Sequence, residues 1–590
     1  MPSGLTPTTR PLRLLLLSHA FNSLTQRLFV ELRARGHEVS VELDIADGVT
    51  EEAVAMFAPD VVIAPFLKRR IPATVWQRVP CLVVHPGVVG DRGPAALDRA
   101  ILRGDTHWGV TVLQAVDDFD AGPVWASVNF PMRAAPKGSL YRQEVTEAAT
   151  QAVLRALQRI ADGKQPQDPG PTRWWPAVPP AERAIDWAQD DSATVLRKIR
   201  SADGHPGLQT RLFGQDCRVF DAHPVTTRPA PAAFADFRPG QAMARRGPAL
   251  LCRTVDGAVW IGHVRPEGPT PQPASLLPLK LPATEVFRVQ AAALPELPVP
   301  LHRASAAGQD DWDELRYEES GPQGARVGQL HFAFHNGAMS TRQCERLRDA
   351  LRLARGRDTQ VLVLLGGEDF FSNGIHLNAI EAAAAHDGDS AADASWRNIE
   401  AMNDVVLEIL TMDDRLTVAA LRGNAGAGGV FLALAADEVW AHPGVVLNPH
   451  YRNMGNLHGS EYWTYVLPRR AGAGRAQAIV QGRLPLGARQ AAELGLVDAC
   501  FGSVGEGFLR EVRSRAGELA LHNASSRVRA KLARRAADEA HRPLAAYRAD
   551  ELAQMHRNFY GFDPSYHVAR YHFVHKLAHA WTPRHLAVHR

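Results

Sequence analysis

This chain lacks paired cysteines. Five cysteines are scattered over its 590 residues without a CxxC pair, at Cys81, Cys217, Cys252, Cys344 and Cys500. Thiolate zinc sites and disulfide frameworks both need cysteines at close, regular spacing. We therefore expect neither of them, and we expect no bound metal.

Long apolar runs and a charge excess are also missing. No stretch approaches the roughly 18 apolar residues that span a bilayer. The early run 12–17 is interrupted by Arg13 and followed by Ser18-His19, which favours a buried strand over a signal peptide. The 66 Lys and Arg residues nearly balance the 63 Asp and Glu residues. We therefore expect a cytoplasmic protein with neither a membrane nor a nucleic-acid partner.

A glycine-rich phosphate loop is absent after the first predicted strand. Apolar runs predict strands at 13–17, 39–43, 61–64 and 82–84, and periodicity predicts a helix over 22–35. This alternation indicates an open α/β sheet with parallel strands. Ser18-His19-Ala20-Phe21-Asn22 follows the first strand, so we do not expect a dinucleotide site.

The rest of the chain indicates an α/β multidomain protein, because one core cannot serve 590 residues. A long helix is predicted at 141–162, a Pro-rich connector at 164–180 and a helical segment at 181–200. A small antiparallel barrel is predicted at 207–290, with strands at Leu250–Cys252 and Val259–Ile261, followed by a linker at 291–312. Strand–helix alternation resumes from Val327, with a mobile loop at 382–394 and mainly helices from 505. The predicted domains are 1–165, 166–305, 313–525 and 526–590.

A histidine and an aspartate stand where an α/β enzyme places its catalytic groups. His85 ends an apolar strand before Pro86-Gly87, and Asp120 lies on a loop closed by Gly122. A carboxylate beside an imidazole fixes its tautomer and raises its basicity. A lone histidine at a strand end is more often structural, so the pair by itself is weak evidence.

The region from about Leu12 to Val225 resembles methionyl-tRNA formyltransferases. The matching residues are His85, Arg92-Gly93-Pro94, Gly109-Val110-Thr111-Val112-Leu113-Gln114, Asp120-Ala121-Gly122, Ala184-Ile185-Asp186-Trp187 and Ile199-Arg200. The resemblance implies a Rossmann-like domain, a small OB-like barrel domain and formyl-tetrahydrofolate as formyl donor. It maps the catalytic His and Asp onto His85 and Asp120, and it implies cofactor binding by Phe66, Leu67 and Arg92.

The chain departs from that family at one catalytic position. The family has an Asn two residues before its His, and Val83 stands there. Loss of one oxyanion donor costs about 3–4 kcal/mol of barrier. Asn22, Gln114 or a backbone N–H could replace the donor, or the acceptor could be a stronger nucleophile such as the thiolate of coenzyme A. The basic run 68–70 is either solvated surface or a contact for the folate glutamate.

The region from about Val327 to Ala499 resembles the crotonase superfamily. The matching residues are His335-Asn336-Gly337-Ala338-Met339-Ser340, Phe370-Phe371-Ser372-Asn373-Gly374-Ile375, Gly423 through Gly429, Arg470-Ala471-Gly472, Gly482-Arg483 and Ala491 through Val497. The resemblance implies a thioester oxyanion hole formed by the N–H groups of Ile375 and Gly428. It also implies coenzyme A binding near Gly374, Gly429 and Arg470.

The resemblance also identifies two substitutions at positions that are catalytic in the superfamily. Hydratases of the superfamily use two glutamates, and Phe431 and Tyr451 occupy those positions. Hydration is therefore not expected, and a dry pocket would protect a thioester from hydrolysis. Tyr451 is the candidate proton carrier, although its ordinary pKa of about 10 requires an activating neighbour. A decayed crotonase that only binds coenzyme A is the alternative.

The two halves in this order resemble the HoxX family of NiFe-hydrogenase maturation proteins. The segments Met454-Gly455, Gly459 through Arg470, Asn558-Phe559-Tyr560-Gly561, Ser565-Tyr566-His567 and Ala569-Arg570 also match. The resemblance implies synthesis of the carbon monoxide ligand of the hydrogenase from formyl-tetrahydrofolate through formyl-CoA. It also implies the hydrogenase large subunit or its iron-assembly proteins as partners.

Two other functions stay open at this point. The protein could release formate from formyl-CoA, or it could be a non-catalytic carrier of folate and coenzyme A. His572, His575 and His579 also recur at helical spacing and could form a metal site. Their aromatic surroundings favour helix packing instead.

Overall fold

The computed structural model describes residues 10–225, 236–268, 278–303, 312–385, 388–503, 505–522 and 524–590. The chain forms two compact units. The first unit comprises Met1–Ala184, Arg197–Pro206 and Ala578–Arg590, and the second comprises Ile185–Leu196 and Gly207–Leu577. Within the described residues, no helix has both the length and the apolarity needed to cross a membrane.

The first unit is built on a six-stranded sheet with helices. Its strands are β1 (Arg13–Ser18), β2 (Glu38–Leu43), β3 (Val61–Phe66), β4 (Cys81–His85), β5 (Asp91–Arg92), β6 (His107–Gln114), β7 (Val124–Pro131) and β8 (Arg173–Trp174). Its helices are α1 (Ser23–Ala34), α2 (Asp47–Phe57), α3 (Ala73–Trp76), α4 (Ala96–Arg103), α5 (Lys137–Leu140), α6 (Thr146–Ala161) and α7 (Pro180–Arg183), and α8 (Ser192–Ala202) spans the division between the units.

The strand order of this sheet is β2-β1-β3-β4-β6-β7. Strands β1 to β4 are parallel, as the apolar runs predicted, and Leu14 to Leu17 of β1 are buried. The predicted parallel strands are thereby confirmed, and the sheet continues with β6, which was not predicted and pairs antiparallel with both β4 and β7. The short connection from β6 to β7 permits this hairpin, whereas parallel neighbours need a longer crossover.

The segment 578–590, here called the returning segment, packs against edge strand β2 of the first unit. The Val41 N–H donates to the Leu586 carbonyl (3.0 Å) and the Leu43 N–H donates to Thr582 Oγ1 (2.8 Å). Between them, the buried Glu42 carboxylate accepts from His589 Nε2 at 2.9 Å. The segment thus satisfies backbone groups that an edge strand would otherwise expose.

The second unit begins with a small antiparallel sheet, in the region where a small antiparallel barrel was predicted. Its elements are β9 (Leu208–Leu212), β10 (Gln215–Pro224), β11 (Ala242–Arg246), β12 (Ala249–Arg253), β13 (Ala258–Pro266), β14 (Leu281–Pro282), α9 (Ala283–Val286) and α10 (Arg288–Ala292). The strand order is β11-β12-β13-β10-β9, with β14 paired to β13. The strands predicted at Leu250–Cys252 and Val259–Ile261 lie inside β12 and β13.

A larger α/β domain follows in the second unit. Its strands are β15 (Leu315–Ser320), β16 (Val327–Phe332), β17 (Ala338–Met339), β18 (Val361–Gly366), β19 (Phe370–Ser372), β20 (Gly374–Ile375), β21 (Leu416–Leu421), β22 (Asn424–Gly426), β23 (Glu438–Ala441), β24 (Val446–Asn448), β25 (Leu486–Gly487) and β26 (Ala499–Cys500). Its helices are α11 (Thr341–Arg355), α12 (Leu377–Ala383), α13 (Ala391–Leu410), α14 (Gly428–Leu434), α15 (Trp463–Ala471), α16 (Ala473–Gly482), α17 (Ala488–Glu493), α18 (Glu506–His522), α19 (Ala524–His541), α20 (Leu544–Tyr560) and α21 (Ser565–Val574).

The main sheet of this domain has the order β15-β16-β18-β21-β23-β26 and is parallel from β16 onward. A second sheet has the order β19-β22-β24-β25, and β17 pairs with β20. The turns after β19 and β22 therefore lie beside each other. This arrangement brings together the two glycine-rich turns that the sequence separates.

Three local predictions need correction. The loop predicted at 382–394 is too long, because α12 extends to Ala383 and α13 begins at Ala391, with 386–387 outside the described residues. The linker predicted at 291–312 begins inside α10, and its residues 304–311 also lie outside them. His572, His575 and His579 do not share one helical face, because α21 ends at Val574.

Candidate active sites

His85 lies between two carboxylates at the end of β4. Its Nε2 is 3.0 Å from Asp91 Oδ1, and its Nδ1 is 3.6 Å from Asp120 Oδ2. His85 and Asp91 are buried, whereas Asp120 is partly exposed. The predicted pair of His85 and Asp120 is therefore present, with Asp91 as a further partner at hydrogen-bond distance.

The backbone around His85 needs glycine for close approach. A Cβ at Gly87 would stand 2.4 Å from His85 Nε2, and a Cβ at Gly93 would stand 2.0 Å from the Trp175 carbonyl oxygen. Asp120 has a left-handed φ of 52°, and its carboxylate accepts the Gly93 N–H at 3.1 Å. These contacts fix the loop carboxylate beside the imidazole.

Val83 is on the same strand face as His85, because alternate residues of a strand point the same way. Both side chains predicted as replacement donors, Asn22 and Gln114, make hydrogen bonds. Asn22 caps α1 by accepting the Thr25 N–H, and its Nδ2 is 3.4 Å from the Tyr141 hydroxyl. Gln114 Oε1 accepts from Trp125 Nε1 at 3.0 Å. Which group replaces the amide donor stays open between these two side chains and a backbone N–H.

The residues predicted to bind folate lie at the end of β3 and on β5. Phe66 is the last residue of β3 and contacts His19 edge to face at 5.9 Å, and Leu67 follows it directly. Arg92 Nε donates to the Phe119 carbonyl at 3.0 Å. A nearby cleft of about 450 Å³ is lined by residues that include Arg69, Arg70, Trp76 and Asp117.

The basic run 68–70 is largely paired within the first unit. Arg69 forms an ion pair with Asp47 at 2.6 Å, and the guanidinium of Arg70 lies 4.7 Å from the centre of the Phe119 ring. Asp47 therefore balances the charge of Arg69, and the Phe119 ring contacts the guanidinium of Arg70. These contacts are consistent with an exposed surface, and a contact of this run with the folate glutamate stays a prediction.

In the second unit, the two predicted oxyanion turns meet. A Cβ at Gly374 would stand 3.3 Å from the amide nitrogen of Gly428, and a Cβ at Gly429 would stand 2.0 Å from the Ser372 carbonyl oxygen. Gly374 has a φ of 79°, which side chains rarely tolerate. The structure thus brings Ile375, which follows Gly374, next to the start of α14 at Gly428.

Tyr451 contacts the buried carboxylate of Glu461, and its role as proton carrier stays a prediction. Its phenol donates to the Glu461 carboxylate and stacks on Phe431 at 5.2 Å. A Cβ at Gly459 would stand 2.1 Å from the Tyr451 ring, so only glycine admits the ring there. Burial and then the Glu461 charge raise the pKa of Tyr451 well above its ordinary value.

Glu461 points at the oxyanion turn. A Cβ at Gly428 would stand 2.8 Å from Glu461 Cδ, and Glu461 itself is 2% exposed. Burial raises the pKa of this carboxyl to about 7. Its backbone is left-handed (φ 63°), and its N–H donates to Asn403 Oδ1 at 2.6 Å. A carboxyl with this pKa can hold and release a proton at neutral pH.

Arg470 lies apart from this constellation. Its guanidinium donates to the Leu434 and Ala436 carbonyls at the end of α14 (3.2 and 2.8 Å) and to Asp498 at 2.9 Å. These contacts terminate α14, whose beginning carries Gly428. The predicted contact of Arg470 with coenzyme A stays a prediction.

Sequence reasoning missed Asp91 and Glu461. Asp91 stands six residues after His85 and directly precedes the Arg92-Gly93 pair that the resemblance singled out. Glu461 is the only acidic residue in the otherwise uncharged run from Gly459 to Pro468. An acidic residue inside an aromatic, apolar run is the signal that would have identified it.

Models of three protein families match the chain. They are Formyl transferase at residues 44–157, Formyl transferase, C-terminal domain at 178–277, and Enoyl-CoA hydratase/isomerase at 326–584. Together with the two sites, these matches define the class: a formyltransferase joined to an enoyl-CoA hydratase-like protein. Methionyl-tRNA formyltransferase of Dechloromonas aromatica is 27% identical over 196 residues, which are 33% of this chain and 64% of that protein.

Two relatives are similar over nearly the whole length. The hydrogenase maturation factor HoxX of Bradyrhizobium diazoefficiens is 53% identical over 98% of this chain and 97% of its own. The crystal structure of HypX from Aquifex aeolicus in complex with tetrahydrofolic acid is 43% identical, with a TM-score of 0.90 over 98% of this chain and 99% of its own. The chain belongs to the HoxX/HypX family of hydrogenase maturation factors.

Proposed function

We propose that this protein makes carbon monoxide for hydrogenase maturation by transferring a formyl group to coenzyme A and releasing CO from the thioester. The observation that carries the proposal is the Tyr451–Glu461 pair beside the turn of Gly428. The relative whose crystal structure contains tetrahydrofolic acid supports a folate substrate. The acceptor of CO would be the hydrogenase large subunit or an iron-assembly protein, in the cytoplasm.

The first step uses His85. The imidazole, oriented by Asp91 and Asp120, takes the proton of the coenzyme A thiol as the sulfur attacks the formyl carbon of formyl-tetrahydrofolate. The C–N bond then breaks, and the proton passes to the leaving folate nitrogen. The overall reaction converts formyl-tetrahydrofolate and coenzyme A into tetrahydrofolate and formyl-CoA. A thiolate needs less oxyanion stabilisation than an amine, which is consistent with Val83.

The second step uses the oxyanion turns and the buried acid pair. The N–H groups of Ile375 and Gly428 bind the formyl oxygen while the Glu461 carboxylate accepts the formyl proton. The C–H electron pair becomes the lone pair on carbon of CO, and the C–S pair leaves with sulfur. Tyr451 relays the proton from Glu461 to the thiolate, which restores both side chains.

The surroundings of the pair favour release of CO over hydrolysis. Tyr451 is 7% exposed, and its neighbour Phe431 is fully buried. Phe431 and Tyr451 also replace the acids that activate water in hydratases. A pocket that admits little water protects a reactive thioester. Formate is therefore expected as a minor product.

One incubation tests the proposal. The full chain is mixed with formyl-tetrahydrofolate and coenzyme A, CO is trapped by a haemoprotein, and formate and tetrahydrofolate are measured separately. We expect CO in amounts matching tetrahydrofolate. Formate in place of CO would indicate a formyl-CoA hydrolase, and no turnover would indicate a carrier; either result contradicts the proposal.

Two variants separate the steps. His85→Ala is expected to abolish release of tetrahydrofolate, because it removes the base of the first step. Tyr451→Phe is expected to release tetrahydrofolate normally and to make little CO. A Tyr451→Phe variant that makes CO at the full rate would exclude the proposed proton relay.

A further inference from the structure

A partly buried carboxylate in the small antiparallel sheet lies among three histidines. Asp221 lies in β10 with a left-handed φ of 59° and accepts from His223 Nε2 and His263 Nδ1, each at 2.8 Å. The Nδ1 of His335 is 3.4 Å from the same carboxylate, and its ring stacks on His263 at 4.2 Å. His335 belongs to the turn that precedes β17, so the cluster joins the small sheet to the larger domain.

A lysine extends the hydrogen-bond network of the cluster. Lys280 Nζ donates to His335 Nε2 at 2.9 Å, which leaves the proton of the neutral ring on Nδ1, facing Asp221. Burial and the Lys280 charge lower the pKa of His335 to about 3, so the ring is neutral at pH 7. The ligand atoms of Asp221, His263 and His335 lie within 4.8 Å of one another, as metal ligands do. The ammonium of Lys280 already supplies the positive charge that a metal ion would bring.

The network is connected to both ends of oxyanion strand β20. On the upstream side, the carbonyl of Gly337, two residues after His335, accepts the Asn373 N–H at 2.7 Å, and β17 pairs with β20. On the downstream side, Asn378 of α12 donates to the Lys280 carbonyl at 3.0 Å. Gly374 and Ile375 lie between these two attachments.

We propose that Asp221 is a positioning residue for the Ile375 N–H of the oxyanion hole, so that the small antiparallel sheet supports the crotonase-like site. The inference rests on the proposed thioester site but not on the fate of the thioester. It assigns a role to a domain whose family match is to formyltransferases. Asp221 acts through His335 and Lys280 and touches no substrate.

The expected consequence concerns turnover and not binding. Without the Asp221 charge, the His335 turn and Lys280 lose the group that aligns them, and β20 is free to shift. A displacement of about 1 Å at a reacting group can cost about 100-fold in rate. Loss of the Asp221 charge does not affect the other contacts that bind coenzyme A. We therefore expect kcat to fall while KM for coenzyme A is unchanged.

The test compares Asp221→Asn with Asp256→Asn in the full chain. Asp256 is an exposed carboxylate of the same small sheet, in the turn between β12 and β13, so it is a matched control. We expect Asp221→Asn to lower kcat for CO release at least tenfold at unchanged KM, with wild-type values for Asp256→Asn. Full kcat in Asp221→Asn would overturn the inference.

A spectroscopic measurement is independent of CO chemistry. Infrared spectra of carbonyl-labelled acetyl-CoA bound to the wild-type protein should show a lowered C=O stretch, because oxyanion donors polarise the bond. In Asp221→Asn the stretch should return toward its solution value. Equal shifts in both proteins would overturn the inference alone, whereas no shift in the wild type would overturn the thioester site as well.

Two variants of His335 control for misfolding. Asn places its amide nitrogen where histidine has Nδ1, so His335→Asn keeps the donor to Asp221, and His335→Phe removes it. We expect His335→Asn to retain more of the kcat and of the infrared shift than His335→Phe. Equal losses would overturn the inference, as would stoichiometric Zn²⁺ binding by the wild type that Asp221→Asn abolishes, because the cluster would then be a metal site.

Discussion

At the scale of single residues, both ring nitrogens of His85 face carboxylates. Asp91 faces Nε2 at 3.0 Å, and Asp120 faces Nδ1 at 3.6 Å. Only one ring nitrogen of a neutral imidazole carries a proton, so the closer carboxylate sets the tautomer. Asp91 therefore matters as much as the aspartate that sequence comparison singles out.

Asp91→Asn is expected to slow the first step. The amide removes the charge that stabilises the protonated imidazole, and general acid–base catalysis is worth about 10²- to 10⁴-fold. The measurement is the rate of tetrahydrofolate release with coenzyme A present. Asp162→Asn, which changes an exposed carboxylate directly after α6, should have no effect. A wild-type rate in Asp91→Asn would show that Asp120 orients His85 alone.

Glu461 predicts a pH dependence of CO release. Its pKa of about 7 means that the carboxylate needed as base forms as the pH rises through 7. The rate should therefore increase between about pH 6 and pH 8, and Glu461→Gln should lose about 10²- to 10⁴-fold. The exposed Glu345 provides the control Glu345→Gln. A rate that does not vary over this range would contradict the assignment.

The same carboxyl predicts the sign of a stability change. Its folded pKa is raised from 4.5 to about 7, so the folded state keeps a proton that the unfolded state has released. The free energy of unfolding contributed by this group therefore falls as the pH rises from about 4.5 to 7. Glu461→Gln should gain stability relative to the wild type between pH 5 and pH 8 in denaturant titrations, while Glu345→Gln should not.

At these sites, sequence patterns identified the residues whose positions follow from local backbone geometry. His85, Gly374 and Gly428 stand in recognisable turns, because glycine spacing and strand ends are local. Asp91 and Glu461 were missed because their roles depend on which side chain each of them meets after folding. Asp221 was missed for the same reason: the histidines that surround it come from three separate elements of the sequence.

At the scale of elements, hydrogen bonds and buried charges join strand β2 to the returning segment. Burial alone would raise the pKa of Glu42, but the hydrogen bonds from His589, Thr582 and Arg590 outweigh it and hold the pKa below its usual value. Breaking a buried ion pair costs about 3–5 kcal/mol. The segment therefore contributes a large share of what stabilises that edge of the sheet.

Removal of residues 578–590 is expected to open strand β2. The Val41 and Leu43 amides lose their acceptors on Leu586 and Thr582, so their hydrogen exchange should accelerate. Amides of β18 in the second unit should keep their protection. A synthetic peptide of residues 578–590 should restore slow exchange in β2. The single change Thr582→Val should affect Leu43 more than Val41, and unchanged exchange after the deletion would contradict the packing.

Element boundaries were predictable where periodicity was strong. Strands β1 to β4 and helices α1 and α6 lie close to their predicted positions, because buried runs and amphipathic stripes are local signals. The β6–β7 hairpin and the early end of α21 were not, because pairing direction and helix termination depend on neighbours distant in sequence. The alanine-rich stretch 391–394 continues as helix α13, where composition had suggested a loop.

At the scale of the whole molecule, the proposed function places two chemically consecutive steps on one chain. The product expected from the first site is the substrate expected at the second. Formyl-CoA is a reactive thioester, so transfer within one molecule limits its loss to water. The sequence predicted both halves because each has its own pattern of motifs.

Mixing two inactive variants tests transfer within one molecule. His85→Ala lacks the first step, and Tyr451→Phe lacks the second. If formyl-CoA stays with the molecule that made it, an equimolar mixture should produce less than about a tenth of the wild-type rate of CO. Formyl-CoA added directly to His85→Ala should give CO and serves as the control. Full complementation by the mixture would show free diffusion of the intermediate.

The returning segment also has a consequence for the order of synthesis. Its residues 578–590 cover the edge of the sheet whose strands lie within the first 131 residues. At about 5–20 residues per second, a ribosome takes roughly 20–80 s to add the residues after 206. Throughout that interval the edge of β2 is open to other chains. The first unit is therefore completed after the second has been translated, and a prematurely terminated chain carries an unfinished formyltransferase.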